Sequence, residues 1–164
     1  MTISVAIISD THAYLDERIA TLITECDYAI HAGDICSEEI LTAMQPKTGK
    51  IYAVAGNNDM HLNAGNIPNS LEIDLPGGKV AIEHGHEHGM HQPSHDSLRK
   101  SYPDAKVIVY GHTHKMLQDK DELPWIINPG AAGRTRTRGG PSCLVLTCSE
   151  PEWEVKEYRF SEEG

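Results

Sequence analysis

The sequence predicts an α/β fold that begins with parallel βαβ units and continues with antiparallel strands. Three observations carry this. Short β-branched runs alternate with helical patterns as far as residue 55, the pattern turns to hairpins after Gly56, and small polar signatures stand where the apolar runs end. A chain of 164 residues fits a single domain, residues 1–164, and a domain of that length buries roughly 70% of its unfolded surface.

Ser4 to Ser9 reads as a buried strand, and Asp16 to Cys26 as a helix with Ile19, Leu22 and Ile23 on one face. Tyr28 to His31 is the next strand and completes a βαβ unit. Ser37, placed before Glu38, Glu39 and Ile40, has the character of an N-cap opening a second helix through Met44, after which Lys50 to Ala55 supplies a third strand. Beyond a polar loop, Ser70 to Leu75 and Lys79 to Glu83 flank a Pro76-Gly77-Gly78 turn and read as a hairpin. Ser94 to Tyr102 follows as a helix and Lys106 to Tyr110 as a buried strand. Lys115 to Gln118 is expected to pair with Trp125 to Asn128 across an acidic turn, and Cys143 to Cys148 with Trp153 to Phe160 across Ser149-Glu150-Pro151-Glu152. The final Ser161-Glu162-Glu163-Gly164 is expected to fray.

Composition narrows the function classes. With 39% hydrophobic and 23% charged residues the chain is ordinary globular material, and its longest apolar runs, such as Val5 to Ile8, fall far short of the ~20 residues of a membrane helix. No basic region precedes the first strand, so a cytoplasmic protein without membrane partners is expected. A net charge of −10, with 24 acids against 14 bases, opposes general nucleic-acid binding, which draws its affinity from Lys and Arg. Cys26, Cys36, Cys143 and Cys148 show neither C-x-x-C spacing nor the density of a disulfide scaffold, so buried reduced thiols are expected and zinc on these sulfurs is not.

Five signatures follow one another along the chain: Asp10-Thr11-His12, Gly33-Asp34, Gly56-Asn57-Asn58-Asp59, His84-Gly85-His86 and Gly111-His112-Thr113-His114. Each stands where a predicted strand runs out, the place where open α/β sheets put their ligand sites. In extended backbone, Asp10 and His12 would point to the same side, as would His112 and His114, so each pair could act as a claw. Glycines ahead of Asp34, Asn57 and His112 permit close backbone approach. Imidazole and carboxylate donors without thiolate suit divalent ions such as Mn²⁺, Fe²⁺, Zn²⁺ or Ni²⁺.

In this order the signatures resemble the calcineurin-like metallophosphoesterase superfamily, whose pattern is D-x-H, G-D, G-N-H-[DE], H and G-H-x-H. The match runs from Asp10 to His114, about two thirds of the chain. The short length, and Ile127-Asn128-Pro129-Gly130, are most similar to its compact prokaryotic phosphodiesterase subgroup. The resemblance implies a four-layer αββα sandwich of two mixed β-sheets. It implies Asp10, His12, Asp34 and His114 on one metal, and Asp34, Asn57, His84 and His112 on the other, with Asp34 bridging. Mn²⁺ is the first choice, with Ni²⁺, Zn²⁺, Fe²⁺ or Mg²⁺ as alternatives, and the reading is a dinuclear phosphodiesterase of small phosphoesters. A phosphomonoesterase is the nearest rival. A non-catalytic scaffold is another, because the superfamily includes a retromer subunit with Asn in place of the bridging acid, where this chain has Asp34. Homo-oligomerisation is left open.

One departure from the pattern stands out. Where many members carry His after the metal-binding Asn, this chain has Asn58, whose amide cannot protonate a leaving group. Asp59 is then expected to orient a histidine or a loop amide. His86, His88, His91 and His95 read as a His-rich surface loop or an adventitious metal site, with His86 the one that could assist substrate binding or proton transfer. His31 and His61 read as a strand residue and a loop residue. Arg134, Arg136 and Arg138, after Asn128-Pro129-Gly130, form either a phosphate clamp, with Asn128 beside it, or a solvated loop.

Overall fold

In the computed structural model, which describes residues 2–62, 66–150 and 152–162, two five-stranded mixed sheets pack face to face with helices outside. The elements in chain order are β1 (Ile3–Ile8), α1 (Glu17–Ile23), β2 (Tyr28–His31), α2 (Glu38–Ala43), β3 (Ile51–Ala53), β4 (Ser70–Leu75) and β5 (Gly78–Glu83). They continue with α3 (His95–Ser101), β6 (Val107–Val109), β7 (Met116–Asp119), β8 (Trp125–Pro129), β9 (Ser142–Cys148) and β10 (Trp153–Arg159). The first sheet has the order β10-β9-β1-β2-β3, with β1, β2 and β3 parallel and β9 and β10 antiparallel to their neighbours. The second is β4-β5-β6-β8-β7, parallel through β5, β6 and β8 and antiparallel at both edges.

Strand alternation sorts side chains into layers. Along β1, Val5 and Ile7 face the second sheet and join Ile30, Leu144 and Leu146 against Val80, Ile82, Val107, Val109 and Ile127. Ala6 and Ile8 face the other way, onto Ile19 and Ile23 of α1 and Ile40 of α2. The outer face of the second sheet, Ala81, Ile108 and Ile126, is covered by Leu98 of α3. A strand covered on both faces must be apolar throughout, which is why β1 reads as a continuous run.

The expected elements are all found: the helices and β3 are shorter than expected, β5, β8 and β9 each gain a residue, and β1 and β7 are shifted by one. The helix predicted to Cys26 stops at Ile23, and residues 24–26 continue in i→i+3 turns (Thr24 N–H to Thr21 O 3.1 Å, Cys26 N–H to Ile23 O 3.0 Å), since the Thr24 hydroxyl takes the Thr21 carbonyl at 2.6 Å. Asp16 and Ser37 are N-caps, accepting from the amides of Arg18 and Glu39. β3 is trimmed to residues 51–53 because β2 offers it only Ala29 to His31 as partners. The 3₁₀ turn His86–His88 was not foreseen. Pro151 of the expected β9–β10 turn, and Glu163 and Gly164 of the expected frayed end, lie outside the described residues. Among the described residues no helix is long and apolar enough to cross a membrane.

His31, at the end of β2, is fully buried and ties two strand ends together. Its Nδ1 accepts from the Gly33 amide at 3.1 Å, so Nε2 carries the proton and donates to Thr11 Oγ1 at 3.0 Å. Burial pulls its pKa from 6.5 to about 3. A His with a depressed folded pKa binds fewer protons than the unfolded chain between those values, so it makes stability fall as pH drops through that window. The slope is about 1.4 kcal/mol per pH unit. Urea denaturation from pH 7 to 4 should show this loss, and the slope should be smaller by one proton in His31→Gln. Equal slopes would mean that His31 is not held neutral.

Candidate metal centre

The carboxyl ends of the parallel strands of both sheets meet at one edge of the sandwich, and every signature lies in a loop leaving one of these ends. β1 delivers Asp10 and His12, β2 delivers Asp34, and the chain beyond β3 delivers Asn57. β5 delivers His84 and β6 delivers His112 and His114. Asp34 Oδ2 stands between two imidazoles, 3.5 Å from His12 Nε2 and 3.4 Å from His84 Nε2. Asp10 Oδ1 faces three, at 3.9 Å from His12, 3.7 Å from His84 and 3.5 Å from His114. Two groups of donor atoms close enough to share a cation result: Asp10, His12 and His114, and Asp10, Asp34 and His84.

The loops are not extended, as the claw expectation required. Asp10, His12, Asp34, His112 and His114 have φ of 53°, 46°, 57°, 69° and 63°, in the left-handed region. The chain is turned there because its amides bond across to the neighbouring strand's loop: Asp10 N–H to Gly33 O at 2.9 Å and His12 N–H to Asp34 O at 3.0 Å. The His112-His114 pair is consequently split. His114 joins Asp10 and His12, whereas His112 stands beside His84 (ring centroids 5.1 Å) with its Nε2 on the Met90 carbonyl. Gly56 is required by this crowding, since a Cβ there would lie 2.3 Å from Asp34 Oδ1.

Hydrogen bonds behind the cluster select the tautomers that a cation needs. His84 Nδ1 donates to Ala32 O at 2.8 Å and His114 Nδ1 to Thr135 O at 2.9 Å, which turns each Nε2 inward. Asp10 spends only Oδ2, on the Ser9 hydroxyl (2.7 Å) and the His112 amide (3.0 Å). Asp10 Oδ1, Asn57 Oδ1 and His84 Nε2 are buried without a hydrogen-bond partner, an arrangement costly for polar atoms unless a cation satisfies them. The donor set fits divalent metal.

The electrostatics follow from burial and mutual charge. Burial pushes Asp10 up to about 7 against the pull of His84. Burial opposes the charged form of His84 too, but Asp34 and Asp10 outweigh it and raise the imidazole to about 9. Asp34 is held well below the usual carboxylate range: His84 and the two hydrogen bonds from Asn58 overcome its burial. His114 falls to about 4, mainly through burial, and His12 is lowered for the same reason.

Several expected site residues have other work. The Asn58 amide donates to Asp34 Oδ2 at 2.9 Å and its backbone N–H to Oδ1 at 3.0 Å, so Asn58 holds the carboxylate rather than reaching a leaving group. Asp59 is buried and accepts from Gly56 (2.7 Å), Cys36 (2.8 Å) and Ile35 (3.2 Å) amides, bracing the Asp34 loop against the Asn57 loop. Asp59 thus orients loop amides, as expected, and its oxygens are spent on backbone rather than on a reacting group. Asn128 is corrected likewise: it is fully buried, donates to Gly111 O and Thr113 Oγ1 and accepts from Gly130 N–H, and so supports the His112-His114 loop from beneath instead of touching substrate. His86 lies beside His84 and His112 (ring centroids 5.5 and 6.2 Å) with Nδ1 buried and unpartnered, while burial lowers its pKa. His88 and His95 pair with Glu83 and Asp119 away from the cluster, and His61 bonds the Cys36 carbonyl.

A cavity of about 240 Å³ opens over Asp34 and Asn57, walled by Met90, His112, Lys115 and Arg136 among others. Arg136 and Arg138 reach it, and Arg134 does not. Two neighbours went unread in the sequence. Lys115 directly follows the last candidate ligand, His114, a signal that adjacency alone could have supplied. Cys36, expected to be buried, is half-buried with Sγ 3.8 Å from His12 Nδ1, and burial with Asp59, Asp34 and Asp10 nearby lifts its thiol to about 11. Cys26, Cys143 and Cys148 are buried and free, as expected.

The chain is similar to known proteins over most of its length. The family described as the calcineurin-like phosphoesterase superfamily domain matches residues 3–151. A probable metallophosphoesterase of Bacillus subtilis is 32% identical over 161 residues, spanning 94% of this chain and 90% of its own. A phosphodiesterase of Methanocaldococcus jannaschii is 27% identical, over 94% of this chain and 96% of its own. In fold, the structure of vacuolar protein sorting 29 from Cryptosporidium parvum matches with a TM-score of 0.75, covering 98% of each chain at 20% identity.

The bracing assigned to Asp59 makes a stability prediction. Asp59→Ala strands three buried amides, and losing such partners costs roughly 1–3 kcal/mol each before relaxation. A total loss of about 3 kcal/mol is expected by chemical denaturation. A change below about 0.5 kcal/mol, the size of an ordinary surface substitution, would show that the brace is not made.

Proposed function

The chain belongs to the calcineurin-like phosphoesterase superfamily, and on that footing we propose that it is a dinuclear metal-dependent phosphodiesterase of small phosphodiesters. The observation that carries this is the convergence of buried, unpartnered Asp10 Oδ1, Asn57 Oδ1 and His84 Nε2 around Asp34. Asp10, His12, Asp34 and His114 would hold one ion, and Asp34, Asn57, His84 and His112 the other, Mn²⁺ being the first choice and Ni²⁺, Zn²⁺, Fe²⁺ or Mg²⁺ the alternatives. Bound there, such ions supply charge neutralisation for a phosphoryl group and acidify a water for in-line attack.

The chain's own residues supply the rest. Arg136 at the cavity wall adds positive charge for a non-bridging oxygen, and Asn58 keeps Asp34 aligned. His86 stands beside His84 and His112, where its imidazole is a further titratable group next to the cluster. The phosphodiesterase relative, and a second cavity that shares Arg136 and Arg138 in its wall, favour a diester over a monoester. A pure scaffold has no use for two buried carboxylates facing imidazoles, which cost stability when left without a cation.

Purified protein assayed on aryl phosphodiesters and monoesters across Mn²⁺, Mg²⁺, Ni²⁺ and Zn²⁺ tests the reading directly. Diesters should turn over faster than monoesters, with Mn²⁺ highest. Asp34→Asn should keep its circular dichroism, lose metal by elemental analysis and drop in turnover by several orders of magnitude. Near-normal activity in that variant would remove Asp34 from the bridging role.

A second expectation comes from the engaged Asn58 amide. With no acid at that position, rates should fall steeply as the leaving group becomes more basic, activated aryl diesters far outpacing alkyl ones. A flat dependence would mean that a proton is delivered after all, and His86→Ala would then be the variant to restore steepness.

A further inference from the structure

A second cavity, of about 400 Å³, adjoins the metal-facing one, and the two share Arg136 and Arg138 in their walls. Tyr14 and Arg134 line its far side, where the Arg134 guanidinium lies over the Tyr14 ring at 4.4 Å from the centroid. Three of the chain's six arginines therefore face one small volume in a protein of net charge −10. Two carboxylates also reach it, Asp16 and Glu162, but Asp16 is already paired with Arg18 at 2.9 Å.

The arginine-bearing loop is fixed on the metal-facing loops. Gly133 packs so tightly that a Cβ would sit 2.4 Å from Thr11 O and 2.5 Å from Tyr14 O. Arg138 Nε donates to Thr113 O at 3.1 Å, and His114 Nδ1 to Thr135 O at 2.9 Å. From the other side, Arg159 donates to the carbonyls of Thr137, Arg138 and Gly140 at 3.3, 3.1 and 2.9 Å. The loop is thus anchored from both sides while Arg134, Arg136 and Arg138 themselves remain exposed.

We propose that the second cavity is a subsite for a further phosphate, so that the preferred substrate is a small phosphodiester carrying a second phosphate on one side, as a phosphorylated dinucleotide does. This rests on the phosphodiesterase reading of the first cavity. Guanidinium forks match the geometry of a phosphate dianion, and the volume suits a group of nucleoside size. The acidic balance of the whole chain disfavours a long polyanion.

The test separates the subsite from the chemistry. On chelator-treated protein, titration calorimetry with adenosine 3′,5′-bisphosphate, adenosine monophosphate and adenosine should give binding that increases with phosphate number and weakens with salt. Arg134→Ala should weaken bisphosphate binding by about tenfold, the scale of one lost charge-assisted contact, and Arg134→Lys by less. In the metal-loaded protein, a 5′-phosphorylated diadenosine monophosphate should be cleaved at about tenfold higher kcat/KM than its unphosphorylated counterpart, a ratio that Arg134→Ala brings towards one. Bisphosphate binding that ignores Arg134, or adenosine binding as tightly as the bisphosphate, overturns the subsite. Arginine-dependent binding without turnover of either dinucleotide would uphold the subsite and overturn the phosphodiesterase reading instead.

Discussion

A carboxylate sealed from water is expensive unless both oxygens are engaged, and in this protein that constraint is placed on Asp10 at the junction of the two sheets. One oxygen binds the chain to itself: Ser9 at the end of β1 and the His112 amide after β6 both donate to Oδ2, so the first sheet is tied to the second through this group. The other oxygen is left facing His12, His84 and His114. Folding and chemistry thus draw on the same side chain. The surrounding braces obey the same division. Asp59 gathers three amides, Asn128 props the His112-His114 loop, and His31 locks two strand ends, and each of them satisfies backbone so that the inward-facing atoms of Asp10, Asn57 and His84 need not.

Much of the fold was legible because its signals are local. Alternation and caps located β1, β2, α2 and the β4–β5 hairpin to within a residue or two, since a strand covered on both faces has to be apolar and an N-cap has to be polar. The helix after Asp16 was overrun because the periodicity continues through Cys26, whereas Thr24 takes the carbonyl that another turn would need. The candidate site was legible as a set of residue types in order, and the structure brings Asp10, His12, Asp34, His84 and His114 together. What sequence could not reveal was backbone shape. The claw argument assumed extended chain at Asp10 and His12, and inter-strand hydrogen bonds impose left-handed turns there. Asn128 misled for a related reason: a polar residue near a candidate site can serve backbone as well as substrate, and only its partners decide which.

Family membership and the chain's own deviations answer different questions. The superfamily match spans residues 3–151 and so takes in every strand-end loop of the candidate centre. The position after Asn57 departs from the family pattern as Asn58, and in doing so it exchanges a titratable imidazole for an amide that anchors Asp34. Similarity to vacuolar protein sorting 29 is a likeness of fold, and it shows how far this sandwich persists when identity drops to 20%.

The left-handed backbone at Asp10, His12, Asp34, His112 and His114 carries a consequence for the order of assembly. Each such non-glycine residue is unfavourable in an isolated chain by about 1 kcal/mol or more, and only the docked strands hold it there. A nascent or partly folded chain therefore displays these side chains scattered, with no chelating arrangement to sequester ions prematurely. The donor atoms of the candidate centre converge only where the loops of the docked strands meet.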